Sequence, residues 1–179
     1  MSYHIESTEL EGVLLIKPKI FEDERGRFRR TFCLPSLEEF GVPFEVKQCN
    51  LSENHLRHTL RGFHWQNSSE SKILTCLTGE IYDIAVDLRP HSKTAGKWLS
   101  FCLSEENGYA LRIPEGCANA WMTMKDHTNI HYWHSDIYRP EAEAGMRYND
   151  PSFGFVWPAA PSVISKKDQS HPNYNLITS

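Results

Sequence analysis

The chain breaks into a long series of short β-rich runs, each closed by a turn, with a helix signal at one place. Gly12–Phe21 is a strand pattern, and Arg27–Phe32 alternates polar and aromatic residues across the Asp23-Glu24-Arg25-Gly26 turn. Phe44–Leu51 alternates again. Lys72–Leu77 and Glu80–Leu88 flank Thr78-Gly79, a hairpin signature. Trp98–Leu103, Tyr109–Ile113, Ala118–Met124 and Thr128–His134 continue the series. The helix candidate is Pro35–Phe40, with Ser36 as N-cap and Glu38 and Glu39 in the first turn. Short strands spaced by turns predict an antiparallel sandwich or barrel. The alternating helices of a doubly wound fold are missing.

A length of 179 residues fits one domain, residues 1–179, with a real core. The formal net charge of −4 argues against nucleic acid as a partner, so any anion must be held by a local cluster. Five scattered cysteines without a C-x-x-C pair read as reduced thiols of a cytoplasmic protein. The N-terminus has no apolar signal-like region, and no apolar run reaches the roughly 18 residues of a membrane span, so no membrane association is expected.

P-loop, dinucleotide-binding, H-E-x-x-H and G-x-S-x-G patterns are absent. What stands out is Leu60-Arg61-Gly62-Phe63-His64-Trp65-Gln66, then Lys72. It sets a histidine in a strand, between aromatics, with a cation before and after. A neutral imidazole there can take a proton, and the cations can hold an anionic ligand or a developing oxyanion. Taken singly, each candidate has a bland alternative. His64 is a satisfied strand histidine, Lys72 a solvated strand end, Tyr132 a core phenol bonded at the rim, and Asp168 a turn or N-cap residue.

Together with their neighbours these residues resemble a known family. Phe21-Glu22-Asp23-Glu24-Arg25-Gly26, Gln48-Cys49-Asn50-Leu51-Ser52, LRGFHWQ with Lys72, and Gly79 to Arg89 come first. Ile113-Pro114-Glu115-Gly116, Tyr138-Arg139-Pro140-Glu141, Tyr148-Asn149-Asp150-Pro151 and Ser165-Lys166-Lys167-Asp168 follow. In this order and spacing, from about Gly12 to Pro172, the chain resembles the nucleotide-sugar epimerases of the dTDP-4-dehydrorhamnose 3,5-epimerase type. The resemblance implies an all-β, antiparallel jelly-roll (cupin-like) sandwich with one or two short helices. It also implies a homodimer that uses no metal or other cofactor.

The implied substrate is a nucleoside-diphosphate 4-keto sugar, epimerised at C3, C5 or both. By resemblance His64 is the base, Asp168 its orienting carboxylate, Lys72 the cation facing the enolate oxygen, and Tyr132 the acid on the opposite face. Arg25 and Arg61 match diphosphate-binding positions, where a guanidinium fork suits phosphate oxygens. Gln48, Asn50, Glu143 and Lys167 match further substrate contacts. Arg25 could equally pair with Asp23 or Glu24 of its own turn.

Two positions depart from the family pattern. Asn119 stands where the family has a histidine after I-P-E-G, and asparagine cannot relay a proton at neutral pH. Arg30 stands where the family has a glutamate that contacts thymine. The charge reversal at Arg30 predicts a CDP- or GDP-linked sugar rather than a dTDP-linked one. Asn119 also weighs against a metal-binding cupin, because neither an H-x-H pair nor the later histidine is present. His127, His131 and His134 are expected to be surface or rim residues, with His134 on the same strand face as Tyr132. Two alternatives stay open: a nucleotide-sugar 3,4-ketoisomerase, and a non-catalytic carbohydrate- or nucleotide-sugar-binding cupin.

Overall fold

The computed structural model of the chain describes residues 3–67 and 70–174. The chain enters through β1 (Tyr3–Ser7), β2 (Leu14–Pro18) and a hairpin of β3 (Ile20–Asp23) and β4 (Gly26–Arg29). Helix α1 (Leu34–Glu39) precedes β5 (Gln48–Asn54), β6 (Thr59–Gln66), β7 (Lys72–Thr78) and β8 (Glu80–Asp87). Then come β9 (Trp98–Ser104), β10 (Ala110–Ile113), β11 (Cys117–Thr123), β12 (Thr128–His134) and β13 (Glu143–Gly145). β14 (Val163–Ile164) and α2 (Lys166–Ser170) close the fold.

The strands form two large sheets. One has the order β1-β2-β10-β7-β12-β5 and the other β13-β6-β11-β8-β9, with β14 added to β6. Among the described residues pairing is antiparallel except between β14 and β6. Leu74, Leu111 and Ile130 of the first sheet meet Ile81, Ala85 and Leu103 of the second in one apolar layer, all fully buried. Each such leucine or isoleucine contributes about 1.5–3 kcal/mol by leaving water. Along the same inward faces the character then changes. Ile130 is followed at two-residue spacing by Tyr132 and His134, and Leu74 is preceded by Lys72. Period-two alternation therefore keeps these polar groups between the sheets, beside the core and not outside it.

The outer faces are covered separately. Leu37 of α1, with Phe32 and Phe44, packs over Ile16, Ile73 and Trp133 on the first sheet. Phe153, Phe155 and Trp157 pack over Phe63, Val86 and Ala118 on the second. The C-terminal segment also folds back: Arg147 N–H donates to the Pro172 carbonyl at 3.2 Å, and the Tyr174 hydroxyl donates to the Leu88 carbonyl at 3.2 Å. Among the described residues no helix is long and apolar enough to cross a membrane.

Two local expectations need correction. The run 12–21 is not one strand but β2 and β3, which join different sheets. Pro18 lacks an N–H and suits the strand end where the split falls. The helix begins before Pro35, with Cys33 and not Ser36 at its N-cap, so Glu38 and Glu39 lie outside the first turn. Proline is tolerated in the first turn because its missing N–H would have no helical partner. Ser36 instead contacts the Cys33 sulfur at 3.4 Å. All five cysteines are free.

Candidate active site

The polar end of the inter-sheet space is a pocket of about 300 Å³. From the second sheet it receives Arg61 and His64 of β6 and Asn119 and Trp121 of β11. The first sheet supplies Gln48 and Asn50 of β5, Lys72 of β7, and Tyr132 and His134 of β12. Glu143 stands at the boundary with an adjoining cavity of about 360 Å³, which also touches Arg61, His64, Lys167 and Asp168.

His64 Nε2 lies 2.8 Å from Asp168 Oδ1. The carboxylate accepts, so Nε2 carries the hydrogen and Nδ1 is left with the lone pair. Asp168 is itself fixed at three points. Its backbone N–H donates to Ser165 Oγ at 3.0 Å, the N-cap of α2, and its Oδ2 accepts from Gly62 N–H at 3.3 Å. Burial alone would raise its pKa, but the bond from His64 and the backbone donor outweigh that and hold the carboxyl below its ordinary value. Gly62 has φ +109°, and a Cβ there would lie 2.7 Å from the Asn119 carbonyl oxygen. Only glycine lets β6 approach β11 this closely while offering its N–H to Asp168.

Tyr132 faces the same pocket from the opposite sheet. Trp121 Nε1–H donates to the Tyr132 hydroxyl oxygen. An indole N–H cannot accept, so the phenol's own hydrogen remains available toward the pocket. Burial pushes this phenol well above its usual pKa. Lys72 bridges the sheets by donating from Nζ to the His64 carbonyl at 3.1 Å. Burial lowers its pKa, opposed by the charges of Glu70 and Asp83. Asp83 is fully buried, and burial pushes its carboxyl up to about 7 despite a 2.8 Å bond from Asn119 Nδ2 and the charge of Lys72. At the boundary, Glu143 accepts from Lys167 Nζ at 2.6 Å and from the Tyr138 hydroxyl at 2.6 Å.

Two candidates from the sequence line neither this pocket nor the adjoining cavity. Arg25 is exposed on the β3–β4 turn, paired with Asp23 at 2.5 Å, the local alternative open to it. Arg30 is exposed beyond β4, with Nη1 3.6 Å from the Cys33 sulfur. His134 is also placed differently from expectation. It is not a rim histidine but half-buried in the pocket wall, with Nδ1 2.7 Å from Glu70 Oε1. Sequence reasoning passed over Glu70, Asp83, Trp121 and the backbone of Gly62. Alternation in Glu80–Asp87 does put Asp83 on the inward face with Ile81 and Ala85, a signal for a buried acid. His64, Asp168 and His171 offer donor atoms within 4.8 Å of one another. The imidazole–carboxylate hydrogen bond already occupies two of these atoms.

The dTDP-4-dehydrorhamnose 3,5-epimerase family matches residues 7–175. The chain belongs to this family. It is an isomerase, an epimerase of nucleotide sugars, with that family's jelly-roll, cupin-like fold. A dTDP-4-dehydrorhamnose 3,5-epimerase of Methanothermobacter thermautotrophicus is 36% identical over 91% of this chain and 90% of its own length. The dTDP-6-deoxy-D-glucose-3,5-epimerase of Legionella pneumophila, solved with dTDP-4-keto-L-rhamnose, superposes with a TM-score of 0.92 at 35% identity, over 98% of this chain and 94% of that one. A 3'-monoepimerase of Streptomyces bikiniensis with dTDP-quinovose gives 0.87 at 30% identity, over 93% and 85%. One fold thus serves enzymes named as 3,5-epimerases and one named as a 3'-monoepimerase.

Proposed function

We propose that the epimerase inverts C3, C5 or both in a nucleoside-diphosphate 4-keto-hexose, with His64 as base and Tyr132 as acid. One observation carries this assignment: an imidazole oriented by a carboxylate and a phenol with a free hydrogen enter one pocket from opposite sheets. A sugar ring lying between the sheets presents one face to each.

The C–H beside the ketone is acidified by the carbonyl. His64 Nδ1 takes the proton, and the C–H electron pair moves into the enolate, leaving negative charge on the C4 oxygen. Asp168 stabilises the imidazolium that forms. Lys72 offers positive charge to the enolate in a partly dry pocket, where such a contact is strong. Tyr132 then delivers its proton to the other face of the carbon, which inverts it; solvent reprotonates the phenolate and takes the proton from the His64 imidazolium. Arg61, Gln48, Asn50, Asn119, Glu143 and Lys167 hold the rest of the substrate.

A homodimer fits the β3–β4 hairpin. Phe21 and Phe28 pair across it and are 49% and 70% exposed, which a second copy would cover. In that arrangement Arg25 serves a site on the other subunit rather than its own. The free thiols suit a reducing compartment such as the cytoplasm. For the carrier, a CDP or GDP preference rests on Arg30 alone, whereas the two solved relatives above hold dTDP sugars.

The test is turnover of the same 4-keto-6-deoxyhexose on dTDP, CDP and GDP in deuterated water. Deuterium at C3 or C5 is expected, and the fastest carrier settles the nucleotide. A displaced carbonyl would mean a ketoisomerase, and no exchange on any carrier would mean a binding protein.

A further inference from the structure

Along the β5 edge of the pocket runs a second hydrogen-bonded array that takes no part in the proposed proton transfers. Tyr138 N–H donates to Gln48 Oε1 at 2.9 Å, and Gln48 Nε2 donates to Asn50 Oδ1 at 3.1 Å. Asn50 Nδ2 lies 3.3 Å from His134 Nε2, and His134 Nδ1 lies 2.7 Å from Glu70 Oε1. The two ends of this chain admit one direction only. A backbone N–H can only donate, and an ionised carboxylate can only accept.

With a neutral imidazole at His134, every ambiguous group between them is settled. Gln48 must turn its oxygen to Tyr138 and its NH₂ to Asn50. Asn50 must turn its NH₂ to His134. His134 must carry its hydrogen on Nδ1 and accept on Nε2. Glu70 is held below the usual carboxylate range: burial acts against this, but the bond from His134 and the charge of Lys72 outweigh it. Its anchor is therefore present at neutral pH. The His134 ring is further fixed by stacking on Tyr132, with centroids 5.7 Å apart and planes 21° apart.

We propose that Glu70 and His134 are positioning residues that lock Asn50 and Gln48 as hydrogen-bond donors toward a substrate oxygen. Each amide NH₂ spends one hydrogen inside the chain and keeps one. Both residues line the pocket together with Arg61. The wall thus presents donors and a guanidinium, which suits a phosphate oxygen or a sugar oxygen. Without the anchor, either amide could turn its oxygen to the substrate, and an oxygen facing an oxygen repels. This inference rests on the proposed substrate class.

The test is a double-mutant cycle with Glu70→Leu and His134→Phe, in which phenylalanine keeps the ring stack and loses both nitrogens. Each single variant should raise KM about tenfold, one oriented hydrogen bond's worth, with kcat changed less than threefold. The double variant should be no worse than either single, because one chain is broken in all three. His134→Gln can donate to Glu70 and accept from Asn50, and it should recover most of the affinity lost in His134→Phe. Titration with dTDP, CDP and GDP in parallel locates the oxygen. Weakened diphosphate binding assigns it to phosphate, and a raised KM with unchanged diphosphate binding assigns it to the sugar.

Additive losses in the double variant, or unchanged KM and diphosphate affinity in both singles, overturn the proposal. A fall in kcat alone also overturns it and would place His134 in the chemistry. If wild-type protein turns over none of the three carriers, the enzymatic assignment fails, and the diphosphate titrations still decide whether the chain sets binding.

Discussion

Lys72 reaches across the gap between the sheets and donates to the backbone carbonyl of His64 at 3.1 Å. The cation is thereby held against the residue that carries the proposed base, although the two stand on different sheets. Its charge is most useful once negative charge has formed on the substrate. Lys72→Met keeps the stem and removes the charge. It should lower kcat by about 10²–10³ and change KM far less, since the enolate exists mainly in the transition state. Steady-state kinetics check this, and a loss confined to KM would move Lys72 to simple substrate holding.

Trp121 and Tyr132 give a second prediction. Because the indole can only donate, it leaves the phenol's hydrogen pointing elsewhere. Tyr132→Phe should therefore retain deuterium exchange while losing net inversion, because removing the proton does not need the phenol. Trp121→Phe should shift the ratio of exchange to inversion the same way, with about a tenfold loss of product formation, one hydrogen bond's worth. NMR of the recovered sugar nucleotide reads both quantities at once. Equal losses of exchange and inversion in Tyr132→Phe would remove the acid assignment.

Gly62 gives a third. Its Cβ would lie 2.7 Å from the Asn119 carbonyl oxygen and 2.8 Å from Ala120 Cα, both backbone atoms in the neighbouring strand. Gly62→Ala should cost several kcal/mol, because β6 or β11 must move and φ +109° is strained for alanine. The shift also pulls an N–H away from Asp168. Thermal melts should show a large drop in Tm, and any folded fraction should show impaired exchange. Wild-type stability in this variant would mean the strands are not so close.

Much of this architecture was legible from the residues themselves. Turn-punctuated alternation gave the sandwich because sheet faces are written into period two. It also put Tyr132 and His134 on one face. Residues recruited by distant segments were harder to see. Asp168 meets His64 across about a hundred positions of sequence, and nothing local distinguishes it from an ordinary helix-start residue; resemblance supplied that pair. Glu70 was passed over and His134 was read as a rim residue, because a strand-end histidine and a loop glutamate each look solvated until β12 and the approach to β7 are placed side by side. Arg25 and Arg30 show the reverse case. Their motif was read, but a hairpin's reach depends on what it packs against, and on its own chain it points away from the pocket.

Asp83 carries the last prediction. Its folded pKa of about 7 is raised by burial, against an unfolded value near 3.9. Between these values the folded protein holds a proton that the unfolded chain has released. The contribution to stability is therefore fully present below about pH 4 and is lost as pH rises toward 7 and beyond. Asp83→Asn removes the titration while still offering an oxygen to Asn119 Nδ2. The difference in Tm between variant and wild type should be small at pH 4 and grow toward pH 8, each kcal/mol being worth about 2–4 °C in a chain of this size. Melts across that range read the slope directly. A difference that shrinks as pH rises would show the opposite arrangement, a charged Asp83 held by Lys72 as an ion pair, since the ionised carboxylate would then stabilise the fold instead of straining it.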